Sequence, residues 1–134
     1  MNICGDVTSV SMQPKMMLLA VYHHTKTQQN LKHQPRALLQ LLTNDHVDIA
    51  HICGRQSGNA TDKIAKISVH HPIAYHKGLP YLKDCAGFME LEITDVREVG
   101  GDHLLATAEV IVSKNLVDRP ILTSDYLKEK GIIR

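Results

Sequence analysis

At 134 residues the chain has the length of one domain with a single hydrophobic core. Hydrophobic residues make up 43% and charged residues 22%, which excludes the composition of a disordered chain. A formal charge of +1 excludes the clustered basic excess of a nucleic-acid surface, and four tyrosines and one phenylalanine without tryptophan exclude a base-stacking platform.

The cysteines, Cys4, Cys53 and Cys85, are odd in number and far apart. That argues against a disulfide scaffold and for a reduced, cytoplasmic compartment. The apolar run Met16–Tyr22 is too short to span a bilayer. The first residues carry Asp6 and lack the basic-then-apolar pattern of a signal peptide. Nine histidines invite a metal reading. Yet His23-His24 and His70-His71 are adjacent pairs, His46 and His51 are five apart, and no His-x-x-x-His or Cys-x-x-Cys occurs. The expectation is scattered surface and loop histidines and no metal centre.

In chain order, Val7-Thr-Ser-Val-Ser11 is β-prone and Pro14 redirects it. Met16–Tyr22 reads as a strand buried on both faces. Thr25 is an N-cap candidate for a helix running to Lys32, because its oxygen can accept from a backbone N–H two or three residues on. A helix start gathers free N–H donors and suits a phosphate, with Lys26 and Thr27 adding charge and a hydroxyl. The plainer reading is a solvated, capped helix. Arg36–Leu42 has helix propensity, with Leu38, Leu41 and Leu42 in one stripe.

Asn44 is the expected cap of the next helix, with Asp45 and Asp48 in its first turn and Gly54 as its C-terminal cap. Asp62–Ile67 reads as a second short helix. Val69–Pro80 looks irregular, punctuated by Pro72, Gly78 and Pro80. Two alternating runs then flank Gly100-Gly101. In the first, Met89, Leu91 and Ile93 share one face, and Glu90, Glu92 and Thr94 the other. In the second, Leu104, Ala106, Ala108, Val110 and Val112 face one way. This is an antiparallel hairpin. Ser124 is the expected cap of a last helix, Asp125–Lys130, with Gly131 after it. Strands with short helices inserted predict a mainly β, antiparallel barrel with helical decoration, in one domain over residues 1–134.

Five pieces in order resemble the flavin reductase-like, FMN-binding split-barrel family. They are Thr8-Ser-Val-Ser11 with Pro14; Thr25-Lys26-Thr27; Gly54-Arg55-x-Ser57-Gly58 leading to Asp62-Lys63; Gly78-Leu-Pro80-Tyr-Leu82 through Cys85-Ala86 into Glu90-Leu-Glu92; and Gly101-Asp102-His103 before a strand carrying Glu109-Val110. The resemblance implies a split β-barrel, usually a homodimer, with FMN beside the barrel. It also implies hydride transfer from NADH or NADPH to flavin, with a partner oxygenase or another acceptor taking the electrons on. It makes Arg36–Leu42 a strand.

Residue by residue, the resemblance puts Cys4, Gly5, Asp6 and Val7, with Ser9, beside the isoalloxazine. It puts Thr25, Lys26 and Thr27 on the ribityl phosphate. Gly54, Arg55 and Ser57 become a wall near the flavin or its phosphate. Arg55 has a second reading, a carboxylate partner such as Asp62. His103 would lie near the nicotinamide; from the residues alone it is a hairpin-turn side chain in solvent.

Two departures qualify this. Only seven residues precede Thr8, where the family has one or two more strands, so the resemblance implies a barrel short of its first strands with an edge open to a partner. Asp6 replaces part of a hydroxyl-rich loop and would repel a flavin phosphate unless protonated or turned away. The alternative function is therefore a non-catalytic FMN-binding electron carrier, or the fold alone without a nicotinamide site.

Overall fold

The computed structural model describes residues 1–134. The alternating runs near the end of the chain form its centre, β6 (Gly87–Glu98) and β7 (His103–Asn115), a long antiparallel hairpin. β2 (Lys15–Tyr22) pairs along β7, and β1 (Val7–Met12) pairs along β2. On the other side of β6 lies β3 (Arg36–Leu41). The sheet order is β1-β2-β7-β6-β3, antiparallel throughout, with β1 and β3 at its edges.

Helix propensity loses at Arg36–Leu41 because pairing with β6 satisfies the backbone groups on that side of the strand and lets Leu39 pack on the sheet core. Strand β2 departs from expectation in the opposite sense. It is a strand, but only Leu19 and Val21 are buried, so one face carries the core. That core is Leu19, Val21, Leu91, Leu104, Ala106 and Ala108.

Helices α1 (Lys26–His33), α2 (Val47–Arg55) and α3 (Lys63–Ser68) decorate the sheet, and α4 (Ser124–Glu129) follows it. Ile49 and Cys53 of α2 meet Ile67 of α3, Leu82 and Cys85 in a second core. Three caps move by a residue or more. Thr43, not Asn44, precedes the short 3-10 turn Asn44–His46, and its N–H donates to His46 Nδ1 at 3.0 Å. Gly54 lies inside α2, which ends on Gln56 with its N–H donating to the Ile52 carbonyl. Thr123, not Ser124, caps α4, its Oγ1 accepting from Tyr126 N–H at 3.2 Å.

The stretch read as irregular is a small hairpin, β4 (Ile73–His76) and β5 (Leu79–Leu82). Lys77 and Gly78, both at positive φ, turn it. The hairpin covers one face of β6, so Glu90, on the polar face of the alternating run, is buried. Glu90 is 3% exposed and takes His76 Nε2 at 2.7 Å and Lys77 Nζ at 3.0 Å. Those two bonds hold its carboxyl below the usual carboxylate range. Phe88 stacks under the same hairpin against Tyr81, ring centroids 4.8 Å apart. No helix is long and apolar enough to cross a membrane.

Candidate functional site

The expected cap at Thr25 forms. Its Oγ1 accepts from Gln28 N–H at 3.2 Å and donates to the Tyr22 carbonyl at 2.9 Å, tying the start of α1 to the end of β2. Lys26 and Thr27 occupy the first turn of α1, where backbone N–H groups have no intrahelical acceptor. The loop between α2 and α3 comes up against this turn. Its shape is set locally, with Ser57 Oγ accepting from Asn59 N–H at 3.2 Å and the Asp62 carboxylate capping α3 through Ala65 N–H at 3.0 Å. A Cβ on Gly58 would lie 3.1 Å from Lys26 Cβ, so the absence of a side chain there lets loop and helix touch.

Between them is a polar cavity of about 500 Å³ lined by Lys26, Thr27, Asn30, Gly58, Asn59 and Lys63 among others. Beside it lies an apolar cavity of about 820 Å³, walled by Cys4, Val7, Leu31, Leu39, Met89 and Leu91 among others. Thr27 and Asn30 line both. One end of this compound space offers cations and neutral donors, and the other offers hydrocarbon walls. That chemistry fits a ligand with a flat apolar body and an anionic tail.

The residues singled out from the sequence divide. Lys26 and Thr27 converge on the polar cavity; Cys4, Gly5 and Val7 reach the apolar one. Cys4 Sγ donates to the Ala20 carbonyl at 3.3 Å, and burial pushes its thiol up. Asp6 is exposed and lines neither cavity; its carbonyl takes Ala20 N–H at 3.0 Å. Ser9 is exposed on β1 opposite Met17. Gly54 is a helical residue, and a Cβ added there would meet Ile3 Cγ1 at 3.9 Å. Arg55 lines neither of these cavities and does not pair with Asp62: one guanidinium nitrogen, Nη2, donates to the Ile132 carbonyl at 2.9 Å, out on the surface.

His103 opens β7 opposite Tyr22, with ring centroids 3.7 Å apart. Its Nδ1 lies 2.6 Å from Asp102 Oδ1, and that bond holds the Asp102 carboxyl below its usual range. The Asp102 carbonyl also takes His23 N–H at 3.1 Å, so this corner abuts the start of α1 but lines neither cavity.

Sequence reasoning noted Lys63 within a motif but gave it no role. It is 6% exposed, and its Nζ donates to the Cys53 carbonyl at 3.0 Å. A lysine one place after a capping Asp carries no signal of burial; only the fold reveals it.

The histidines are not all scattered. His46, fully buried, puts Nε2 3.1 Å from Asp84 Oδ1, and His71 Nδ1 is 3.0 Å from Asp84 Oδ2. The other nitrogen of His71 meets Asp48 at 3.0 Å. Ligand atoms of His46, His71 and Asp84 all fall within 4.8 Å of one another. The Thr43 N–H aimed at His46 Nδ1 leaves Nε2 as the protonated nitrogen, so a donor rather than a lone pair faces Asp84. His71 links Asp84 to Asp48 as an ion-pair chain with His46 set against its Asp84 end, an arrangement invisible to spacing rules because its members lie far apart in sequence.

Comparison with known proteins gives the fold and family. Nothing among curated proteins matches the chain. An FMN-binding protein from Thermus thermophilus, solved with p-hydroxybenzaldehyde, superposes with a TM-score of 0.70 at 24% identity, over 81% of this chain and 59% of its own. An NADH:FAD oxidoreductase from Streptomyces globisporus gives 0.69 at 22% identity, over 81% and 63%. Flavoredoxin from Methanosarcina acetivorans gives 0.72 at 19%, over 84% and 59%. The chain thus spans 59% to 63% of the length of these three. The likeness places the chain's mainly antiparallel sheet, which is not closed here, with the split-barrel fold. Residues 3–122 match the flavin reductase like domain, and the chain belongs to that family.

Proposed function

We propose that the chain binds FMN and catalyses the reduction of flavin by NADH or NADPH, as a single-domain cytoplasmic homodimer passing electrons to an oxygenase or another acceptor. The observation that carries this reading is the compound cavity, with Lys26 and Thr27 at its polar end and hydrocarbon at the other. Membership of the flavin reductase-like family supports the same reading.

Bound flavin supplies the redox chemistry; the protein supplies placement and shielding. Lys26 and the Thr27 hydroxyl hold the phosphate by charge-assisted bonds. Cys4, Gly5 and Val7 wall the ring and keep water from it. Asp6 is turned to solvent, which relieves the repulsion expected from its sequence position. Asp102 occupies His103 Nδ1 and leaves Nε2 as the nitrogen available to a nicotinamide substrate.

Titration with FMN should quench flavin fluorescence to saturation, and the complex should oxidise NADH or NADPH. Protein that ignores excess FMN overturns the reading. A second reading, an FMN electron carrier, is favoured by one observation: His103 lines neither cavity. Bound FMN without pyridine-nucleotide oxidation, unaffected by His103→Ala, would select it.

A further inference from the structure

The β4–β5 hairpin is fastened unevenly. No backbone hydrogen bond joins it to the five-stranded sheet. Its root is firm. Lys83 N–H donates to the Pro72 carbonyl at 2.9 Å, His71 pairs with Asp84 at 3.0 Å on either side of the root, and Leu82 is buried in the second core. Gln40 of β3 clips the stretch nearest the root. Its Oε1 accepts from Leu82 N–H at 2.8 Å, and its Nε2 donates to the Pro80 carbonyl at 3.4 Å.

The tip is held chiefly by one side chain. Glu90 Oε2 takes His76 Nε2 at 2.7 Å, and Oε1 takes Lys77 Nζ at 3.0 Å. Beneath the tip, Phe88 adds only tilted ring contacts, 5.2 Å to His76 and 4.8 Å to Tyr81 between centroids. Lys77 adopts φ +48°, a conformation its Cβ disfavours, so the bond to Glu90 holds a turn that the backbone would otherwise relax.

A two-stranded hairpin is marginal in water by itself, so the tip fastening decides whether it stays down. A buried carboxylate bonded to two donors is also close to break-even, because lifting the tip returns the carboxylate and its partners to water. Such a contact closes and releases. Leu79 and Pro80, the two residues after the turn, line the apolar cavity beside Leu38 and Gln40 of β3. Lifting the tip carries that part of the wall away.

We infer that the β4–β5 hairpin is a flap on the apolar cavity, rooted at Pro72 and Lys83 and latched at its tip by Glu90, and that release of the latch admits the cavity's occupant. The identity of the occupant rests on the flavin reading above, which makes it the flavin ring. The latch itself stands on the hairpin's own contacts and can be tested without flavin.

Hydrogen exchange and stopped-flow binding test it, on wild type, Glu90→Gln, Lys77→Met and the double variant. Glu90→Gln keeps the shape of the side chain and removes its charge. Without ligand, it should speed exchange over residues 73–82 by about ten-fold or more, the scale of one charge-assisted bond, and leave β2 and β7 unchanged. Lys77→Met, at a half-exposed side chain, should act on the same segment more weakly. The double variant should fall short of the product of the two single effects, because both break one latch. Effects that multiply, exchange that quickens across the whole chain, or no change over residues 73–82 would each overturn the latch. Lys77→Met carries the same comparisons if Glu90→Gln does not fold.

FMN should enter Glu90→Gln about ten-fold faster than wild type and leave it faster too, so that affinity changes less than either rate. FMN entry no faster than in wild type overturns the flap and leaves the flavin reading intact. If neither protein binds FMN, the flavin reading has failed, and the apolar dye anilinonaphthalene sulfonate takes its place. Faster dye uptake by Glu90→Gln then supports the flap, and equal uptake overturns it.

Discussion

The Asp84 carboxylate meets His71 Nδ1 through Oδ2 at 3.0 Å. The far nitrogen of the same ring meets Asp48, in the first turn of α2, at 3.0 Å. Partial burial opposes the charged ring, but the bonds to Asp84 and Asp48 outweigh it and raise the His71 pKa above 6.5. Burial likewise pushes the Asp84 carboxyl up, but bonds from His71 and His46 outweigh it and leave the pKa below 3.8.

The pH dependence follows from those directions. The His71 contribution is complete below its ordinary pKa of 6.5 and lost as pH rises through the raised value. The Asp84 contribution is complete above 3.8 and lost as pH falls through the lowered value. Both are complete between 3.8 and 6.5, and melting temperature should fall on either side of that window. His71→Gln should cost about 1–2 kcal/mol near pH 6 and flatten the alkaline side. An unchanged alkaline slope in that variant would remove His71 as its source.

Gly87 begins β6 against the end of β7. A Cβ there would fall 2.4 Å from the Lys114 carbonyl oxygen, which is backbone and cannot swing aside. Gly87→Ala should destabilise by about 1–3 kcal/mol in urea unfolding. Gly101→Ala is the control, because nothing lies within 4 Å of its added methyl. That variant should stay within about 0.5 kcal/mol of wild type. Equal midpoints for the two would contradict the close approach.

Thr25→Ala removes the acceptor for Gln28 N–H and the donor to the Tyr22 carbonyl. The expected loss is about 1–2 kcal/mol, with Thr25→Ser recovering most of it. Hydrogen exchange should speed up in α1 before it does in β6 or β7. Uniform acceleration across the chain would assign Thr25 a role beyond capping.

Burial pushes the thiols of Cys4, Cys53 and Cys85 above their ordinary values. Native protein at neutral pH should react slowly with a disulfide reagent, Cys4 first because it alone is partly exposed. All three should react at once in denaturant. Fast native labelling of Cys85 would show that the second core opens readily.

Much of the sheet was legible because a half-buried strand writes its period of two into the sequence. Met89, Leu91 and Ile93, with Leu104, Ala106 and Ala108, announce their faces directly. The β4–β5 hairpin was not legible. Pro80 sits within a strand opposite Tyr75, and Lys77 takes positive φ without being glycine. Proline and glycine read as disruption until pairing shows them as turn and edge. At the site, Lys26 and Thr27 were legible because a capped helix start is a local pattern. Lys63 and the chain from His46 to Asp48 were not, because burial and long-range convergence belong to the folded state.

The two hydrophobic clusters remain separate, one on the sheet and one between α2, α3 and β5. The apolar cavity touches both, with Leu19 and Leu91 on one wall and Ile49 and Leu82 on another. A guest filling that space becomes the keystone between them. Its occupancy and the folding equilibrium are then a single thermodynamic balance, and resistance to heat climbs with the logarithm of guest concentration above its dissociation constant.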